Sequence, residues 1–171
     1  ALEAIDEGCF AREIIPVEIE EDGVNKSFII DEGVRRETSL EKLAELSPAF
    51  MPDGGTVTAG NSSQMSDGAA GMLLMSEAKA KELNLQPRAK IIARVVVGED
   101  PIMMLTGVIP ATKKVLEKAG LTIDDMDVIE INEAFASVIK AWEKEIKPNM
   151  NRVNPRGGAI ALGHPLGASG V

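Results

Sequence analysis

The second half of the chain alternates short apolar runs with stretches of helical periodicity, and this alternation constrains the fold most. The run 91–97 is rich in β-branched residues, which is typical of a strand buried on both faces. Further strands are predicted at 128–131 and 157–162, with helices after Pro110 and around Trp142, which is assigned to the core. Strands alternating with helices predict an α/β layered fold.

The first half carries local signals for a turn and two helices. Residues 13–19 are predicted as a strand and 28–30 as a second extended piece, with a turn between them. Thr38-Ser39-Leu40-Glu41 is predicted as a capping box that opens a helix ending before Pro48. Ser76 is the predicted N-cap of a helix over 77–83.

Composition excludes several classes of protein. The chain is 44% hydrophobic and carries a net charge of −9, with acidic residues concentrated in the first fifty positions. It has no basic stripe and only 3% aromatic residues, so nucleic-acid binding is not expected. No apolar run is long enough to span a membrane, so no membrane insertion is expected. With one cysteine and one histidine, the sequence suggests neither a disulfide framework nor a metal site.

The one histidine, His164, lies in a loop of small residues that is difficult to explain by packing. Small neighbours let a ligand approach the ring, and Pro165 favours an extended conformation at His164. An imidazole on such a loop can act as an acid, a base or a hydrogen-bond donor. A loop histidine without a function remains the alternative. Because Pro165 also predicts the start of a helix so close to the end, we expect the sequence to be an internal piece of a longer protein.

Asn132 follows a predicted strand and precedes a helix. It is interpreted either as an N-cap or as an amide beside a reacting carbonyl, where it could share a developing oxyanion with His164. The loops of Asn132 and His164 are expected to meet at one end of the sheet. Glu133 is interpreted as a carboxylate in the first helical turn that stabilises the helix dipole.

Three ordered blocks of the sequence are similar to the thiolases. They are Gly55-Thr56-Val57-Thr58-Ala59-Gly60-Asn61-Ser62-Ser63 with Ser66-Asp67-Gly68, then Asn132-Glu133-Ala134-Phe135-Ala136, then Gly157-Gly158-Ala159-Ile160-Ala161-Leu162-Gly163-His164-Pro165-Leu166-Gly167-Ala168-Ser169-Gly170. The resemblance implies a thiolase-like layered fold with mixed sheets covered by helices. It implies the end of a loop domain at 1–63, the last elements of an N-terminal domain at 64–88 and a truncated C-terminal domain at 89–171.

The resemblance also implies an acyltransferase that cleaves 3-ketoacyl-CoA with CoA through an acyl-cysteine intermediate. His164 would activate the nucleophilic thiol and, with a water held by Asn132, would bind the oxyanion of the thioester. CoA would be a substrate, and no cofactor would be bound permanently. The residues implied to contact CoA or substrate are Ser63 at the pantetheine arm, Arg35 at the adenine nucleotide, Phe50 beside pantetheine, and Met104 and Phe135 at the acyl pocket.

Two cysteines of the thiolase pattern fall outside this sequence, and Cys9 corresponds to neither, so this piece alone is expected to be inactive. Gln64 replaces a glycine common in biosynthetic members, and Leu105 and Val108 depart from a Met-Gly-Thr-Gly-Pro pattern. The residues around Gln64 resemble those of degradative 3-ketoacyl-CoA thiolases. A biosynthetic acetoacetyl-CoA thiolase and a non-catalytic thiolase-like protein that binds acyl-CoA or sterol remain alternatives.

The resemblance implies acyl-CoA and CoA as partners and assembly as a homodimer or homotetramer. It implies a cytoplasmic location in a bacterium and a mitochondrial or peroxisomal one in a eukaryote. No secretory signal precedes the two Asn-x-Ser matches, so secretion is not expected.

Overall fold

The computed structural model describes residues 1–170. Its regular elements, in chain order, are α1 (Leu2–Asp6), β1 (Val17–Glu21), β2 (Val24–Phe28), α2 (Leu40–Ala44), α3 (Glu77–Glu82), α4 (Val108–Ala119), α5 (Ala136–Ile146) and α6 (Ala159–Leu162). Short 3₁₀ turns lie at Ala59–Asn61, Met104–Gly107, Ile123–Asp125 and Met150–Arg152. None of the helices within these 170 positions combines the length and apolarity needed to cross a bilayer.

The strands β1 and β2 form an antiparallel hairpin in which Glu21 pairs with Val24. The turn residues Asp22 and Gly23 both have positive φ, at 55° and 72°, which matches the twist of a two-residue hairpin. Pairing runs outward from this turn for five residues on each side. The predicted strands at 13–19 and 28–30 are therefore displaced: the first begins at Val17, and the second ends at Phe28 rather than beginning there.

Side-chain caps set the starts of α2 and α3. The Ser39 hydroxyl accepts from the Lys42 N–H at 3.2 Å, so the predicted capping box starting at Thr38 is wrong by one residue. Thr38 instead donates its hydroxyl hydrogen to the Arg35 carbonyl at 2.9 Å. The predicted cap of α3 is confirmed, since the Ser76 hydroxyl accepts from the Lys79 N–H at 3.2 Å.

Helices α4 and α5 pack against each other around Trp142, which is 1% exposed. Its indole N–H donates to the Thr112 hydroxyl at 2.9 Å, so one bond ties α5 to α4. Gly120, with φ 68°, ends α4 as predicted. The assignment of Trp142 to the core is confirmed. The buried apolar residues are Ala4, Ala80, Val138, Ile139, Trp142 and Val153.

Three strand predictions are wrong for the part of the chain that the structure describes. Residues 91–97 belong to no sheet there, because a strand requires a hydrogen-bonded neighbour and no segment pairs with this one. Val96 is 99% exposed. The 128–131 segment makes a single bridge, Ile129 to Val153. In the 157–162 segment, Ala159–Leu162 form the helix α6. Short apolar runs such as Ala-Ile-Ala-Leu suit either structure, and contacts from elsewhere decide.

Candidate active site

The side chains of Asn132 and His164 meet, although they are 32 positions apart in the sequence. Asn132 Nδ2 lies 3.4 Å from His164 Nε2. Asn132 lies in the loop before α5, and one residue, Gly163, separates His164 from the end of α6. The two loops therefore meet without the flanking strands that the sequence predicted. The expected proximity is present. The catalytic roles of the two residues stay predictions.

A chain of hydrogen bonds assigns the proton of the His164 ring. The Ser169 hydroxyl donates to the Pro165 carbonyl at 3.1 Å, which leaves its oxygen to accept from His164 Nδ1–H at 2.8 Å. An imidazole with its hydrogen on Nδ1 carries its lone pair on Nε2, where the Asn132 Nδ2–H can donate to it. The Nε2 atom beside Asn132 is therefore the ring nitrogen available to take a proton.

The segment after Ser63 holds the His164 loop in place. His164 N–H donates to the Gln64 carbonyl at 2.9 Å, and Met65 forms a parallel bridge with His164. Gly163 has a φ of 93°, and a Cβ at this position would overlap the Ser66 hydroxyl. Glycine is thus required before the histidine for two reasons, its backbone angle and the close approach of Ser66.

Asn154 holds the backbone immediately before Asn132. Its Oδ1 accepts from the Ile131 N–H at 2.8 Å, and its Nδ2 donates to the Ile131 carbonyl at 2.9 Å. One carboxamide thus pairs with both backbone groups of a residue that has no full strand partner. Sequence reasoning missed Asn154, whose only local signal is an asparagine before Pro155, a common turn pattern.

Three residues implied to bind substrate lie beside this pair. The Ser63 N–H donates to the Ala134 carbonyl at 3.0 Å, and Ser62 forms a bridge with Phe135. The rings of Phe50 and Phe135 meet edge to face with centroids 6.0 Å apart. The structure therefore brings Ser63, Phe50 and Phe135 to the loop that carries Asn132.

The other two residues implied to contact substrate, Arg35 and Met104, lie in separate segments, and the turn that begins at Met104 packs against α5. Met104, 64% exposed, begins the turn before α4, and the Arg35 carbonyl accepts from Thr38. Neither makes a hydrogen bond or ring contact with the cluster within residues 1–170. Their predicted contacts with substrate stay predictions.

Cys9 lies in another place. It lines a cavity of about 540 Å³ with Glu7, Glu130 and Arg156, and neither His164 nor Asn132 lines that cavity. Its thiol is 3.9 Å from a Glu7 carboxylate oxygen. The placement agrees with the interpretation that Cys9 is not a nucleophile.

Partial burial and the nearby Glu133 carboxylate raise the pKa of Glu130, which lies two residues before Asn132.

No group of three His, Cys, Asp or Glu side chains suited to a metal ion occurs in the described part of the chain. The chemistry that these residues can offer is proton transfer and hydrogen bonding at His164 and Asn132.

Models of two protein domains match almost the whole sequence. The thiolase N-terminal domain matches residues 1–78, and the thiolase C-terminal domain matches residues 85–171. Among curated relatives, a steroid 3-ketoacyl-CoA thiolase of Mycobacterium tuberculosis is 54% identical over 171 residues, which are 100% of this chain and 40% of that protein. The chain thus spans well under half of this relative.

Solved structures show the same likeness. The Bacillus anthracis acetyl-CoA acetyltransferase superposes with a TM-score of 0.91 at 47% identity, over 99% of this chain and 43% of that one. Human mitochondrial 3-ketoacyl-CoA thiolase in complex with CoA gives 0.83 at 40% identity, over 99% and 42%. These superpositions confirm the predicted thiolase-like α/β class for this partial chain, with helices and sheet mixed as observed. The chain therefore belongs to the thiolase family.

Proposed function

We propose that the protein containing this chain is a thiolase-type acyltransferase that cleaves 3-ketoacyl-CoA with CoA, giving acetyl-CoA and a shortened acyl-CoA. The observation that carries the proposal is the 3.4 Å approach of Asn132 Nδ2 to His164 Nε2 in a chain of this family. The two cysteines of the family pattern would come from outside this sequence. The three-way division at residues 63 and 88 is part of the proposal.

His164 performs two roles in succession. Its Nε2 lone pair takes the proton of a thiol, producing a thiolate that attacks the 3-keto carbon of the substrate. The bond between C2 and C3 then breaks, leaving an acyl-cysteine, and the departing acetyl-CoA takes its proton from the second thiol of the family pattern. The same nitrogen then carries a hydrogen that points beside Asn132 Nδ2–H. Two adjacent N–H donors suit the negative oxygen that develops on the thioester carbonyl of the substrate, with the Asn132 donor acting directly or through a water.

Substrate contacts complete the proposal. Ser63 and Phe50 would lie along the pantetheine arm of CoA, Phe135 and Met104 at the acyl pocket, and Arg35 at the nucleotide end. A neighbouring structure in the family contains CoA, which supports CoA as a substrate. Acyl-CoA and CoA are the proposed partners, with assembly as a homodimer or homotetramer. The compartment would be the cytoplasm of a bacterium, or a mitochondrion or peroxisome of a eukaryote.

A biosynthetic acetoacetyl-CoA thiolase is the second candidate, favoured by the likeness to an acetyl-CoA acetyltransferase. Against it, Gln64 occupies the position where glycine is common in such enzymes, and its carboxamide donates to the Gly33 carbonyl at 3.0 Å. A non-catalytic binding protein would need neither the Asn132–His164 pair nor the hydrogen bond from His164 Nδ1–H to the Ser169 hydroxyl.

The test is turnover of the full-length protein with CoA and 3-ketoacyl-CoA substrates of increasing chain length, followed by chromatography of the products. The expected result is acetyl-CoA and shortened acyl-CoA in equal amounts, abolished in His164→Ala. A kcat/KM that is highest for acetoacetyl-CoA would select the second candidate. Binding of acyl-CoA without turnover would select the binding protein.

A further inference from the structure

The Glu133 carboxylate connects the two loops of the candidate site. Glu133 Oε2 accepts from the Ile160 N–H at 3.1 Å, and Oε1 accepts from Asn154 Nδ2 at 2.9 Å. Glu133 is the neighbour of Asn132, and Ile160 lies in the helix that leads to His164. A single side chain thus spans from one reacting loop to the segment that delivers the other.

The interpretation of Glu133 as a first-turn carboxylate that stabilises its own helix is wrong. α5 begins at Ala136, so Glu133 lies before it, and its oxygens bond to other segments. A Cβ on Gly158 would overlap the Glu133 carboxyl group. The carboxylate therefore lies directly against the backbone at Gly158, just before α6. Little free space remains there, so the Glu133 loop and the α6 segment have little room to move past each other.

Asn154 extends the connection to the other side of Asn132. Its carboxamide bonds Ile131 on both backbone groups and Glu133 on the carboxylate. Residues on each side of Asn132 are therefore anchored, while Asn132 itself stays exposed toward His164. Anchoring the flanking residues reduces the number of conformations that the exposed amide can adopt.

We propose that Glu133 is a positioning residue, which fixes the separation of Asn132 and His164 and so aligns their N–H groups on one oxygen. The proposal rests on the proposed function for the oxygen that the two groups bind and for its kinetic readout, and on the structure alone for the fixed separation of the two side chains. Both partners of the carboxylate are N–H donors, so two acceptor oxygens are required. The two oxygens of the Glu133 side chain supply them.

The decisive variant is Glu133→Gln in the full-length protein. Its shape is conserved, but one oxygen becomes an NH₂ that faces another donor, so one bond is lost. We expect kcat to fall about 100-fold, the loss associated with misplacement by about 1 Å, and KM for acyl-CoA to change less than about twofold. Glu130→Gln removes a carboxylate from the same segment and is the matched control, with kcat near that of wild type.

A crystal structure of the same variant gives a readout that does not depend on activity. The separation of Asn132 Nδ2 and His164 Nε2 is expected to increase from 3.4 Å. Glu133→Asp, one methylene shorter and still charged, should show the same shift and loss of kcat. This variant replaces Glu133→Gln if the latter does not fold.

Each outcome decides the matter. If the separation of Asn132 Nδ2 and His164 Nε2 in the Glu133 variant equals that of wild type, the proposal is overturned, whatever the value of kcat. A variant kcat within about twofold of wild type also overturns it. If the wild-type protein catalyses no thiolysis, the proposed function fails while the crystal structure still tests the positioning role. Moved loops with a selective loss of kcat support both.

Discussion

Ser169→Ala isolates the hydrogen bond that sets the proton on the His164 ring. The substitution removes the hydroxyl oxygen 2.8 Å from Nδ1 and leaves Nε2 and Asn132 untouched. The turn itself remains supported, because the Ala168 and Ser169 N–H groups donate to the Pro165 carbonyl at 2.8 and 3.0 Å. A change in rate can therefore be attributed to the imidazole rather than to collapse of the loop.

The magnitude follows from the exposure of this bond. One such hydrogen bond contributes about 1 kcal/mol net, and Ser169 is exposed, so water can replace part of it. Since about 1.4 kcal/mol corresponds to tenfold in rate, kcat should fall by roughly two- to fivefold. This loss is smaller than the loss on the order of 100-fold expected for Asn132→Ala, which removes an oxyanion donor.

The assay is steady-state thiolysis by the full-length protein, with kcat and KM measured separately. Ser169→Thr keeps the hydroxyl and serves as the matched variant, which should recover most of the wild-type kcat. KM for acyl-CoA should not change in either variant. The reasoning is refuted if Ser169→Ala turns over at the wild-type rate, or if Ser169→Thr is as slow as Ser169→Ala.

Three further results are expected. Cys9→Ser in the full-length protein should leave turnover nearly unchanged, and labelled acyl-CoA should not label the Cys9 peptide in mass spectrometry; label there would contradict its placement. The folded-state pKa of Glu130 is raised above its ordinary 4.5, so its contribution to stability is present below that pH and lost as pH rises through the folded pKa. The difference in melting temperature between Glu130→Gln and wild type should therefore increase from pH 4.5 toward neutrality, and a constant or falling difference would contradict this prediction. The charged neighbours of Glu130 are Glu3, Glu7, Glu133 and Arg156. The 171-residue chain alone should show no thiolysis of acetoacetyl-CoA or longer substrates, and turnover by mass-verified material would contradict the assignment of both reactive thiols to other segments.

Helices were predictable from the sequence because their hydrogen bonds are local. The apolar periodicity around Trp142, the Ser76 cap and Gly120 lie within or beside the helices that they specify. The strands predicted in the second half of the chain were not predictable in this way, because a strand forms only when another segment pairs with it. Ile91, Ile92 and Val96 of the β-branched run 91–97 are exposed, and the run pairs with no segment among residues 1–170, although its composition favours a buried strand.

The candidate site divides in the same way. His164 was recognisable from its loop of small residues, and Asn132 from its place before a helix. Glu133 and Asn154 were missed as positioning groups because their partners lie 21 to 27 residues away. The helical form of α6 likewise depends on its surroundings, since Glu133 accepts from a backbone N–H in its first turn.

Alkylation by iodoacetamide tests most directly whether His164 and Asn132 share one reacting centre with different roles. If His164 takes the proton of the nucleophilic thiol, His164→Ala should slow inactivation of the full-length protein at neutral pH, because less thiolate is present. Asn132→Ala should leave the rate of inactivation nearly unchanged while lowering turnover by a factor on the order of 100. Equal alkylation rates in wild type and His164→Ala would contradict the activating role of His164.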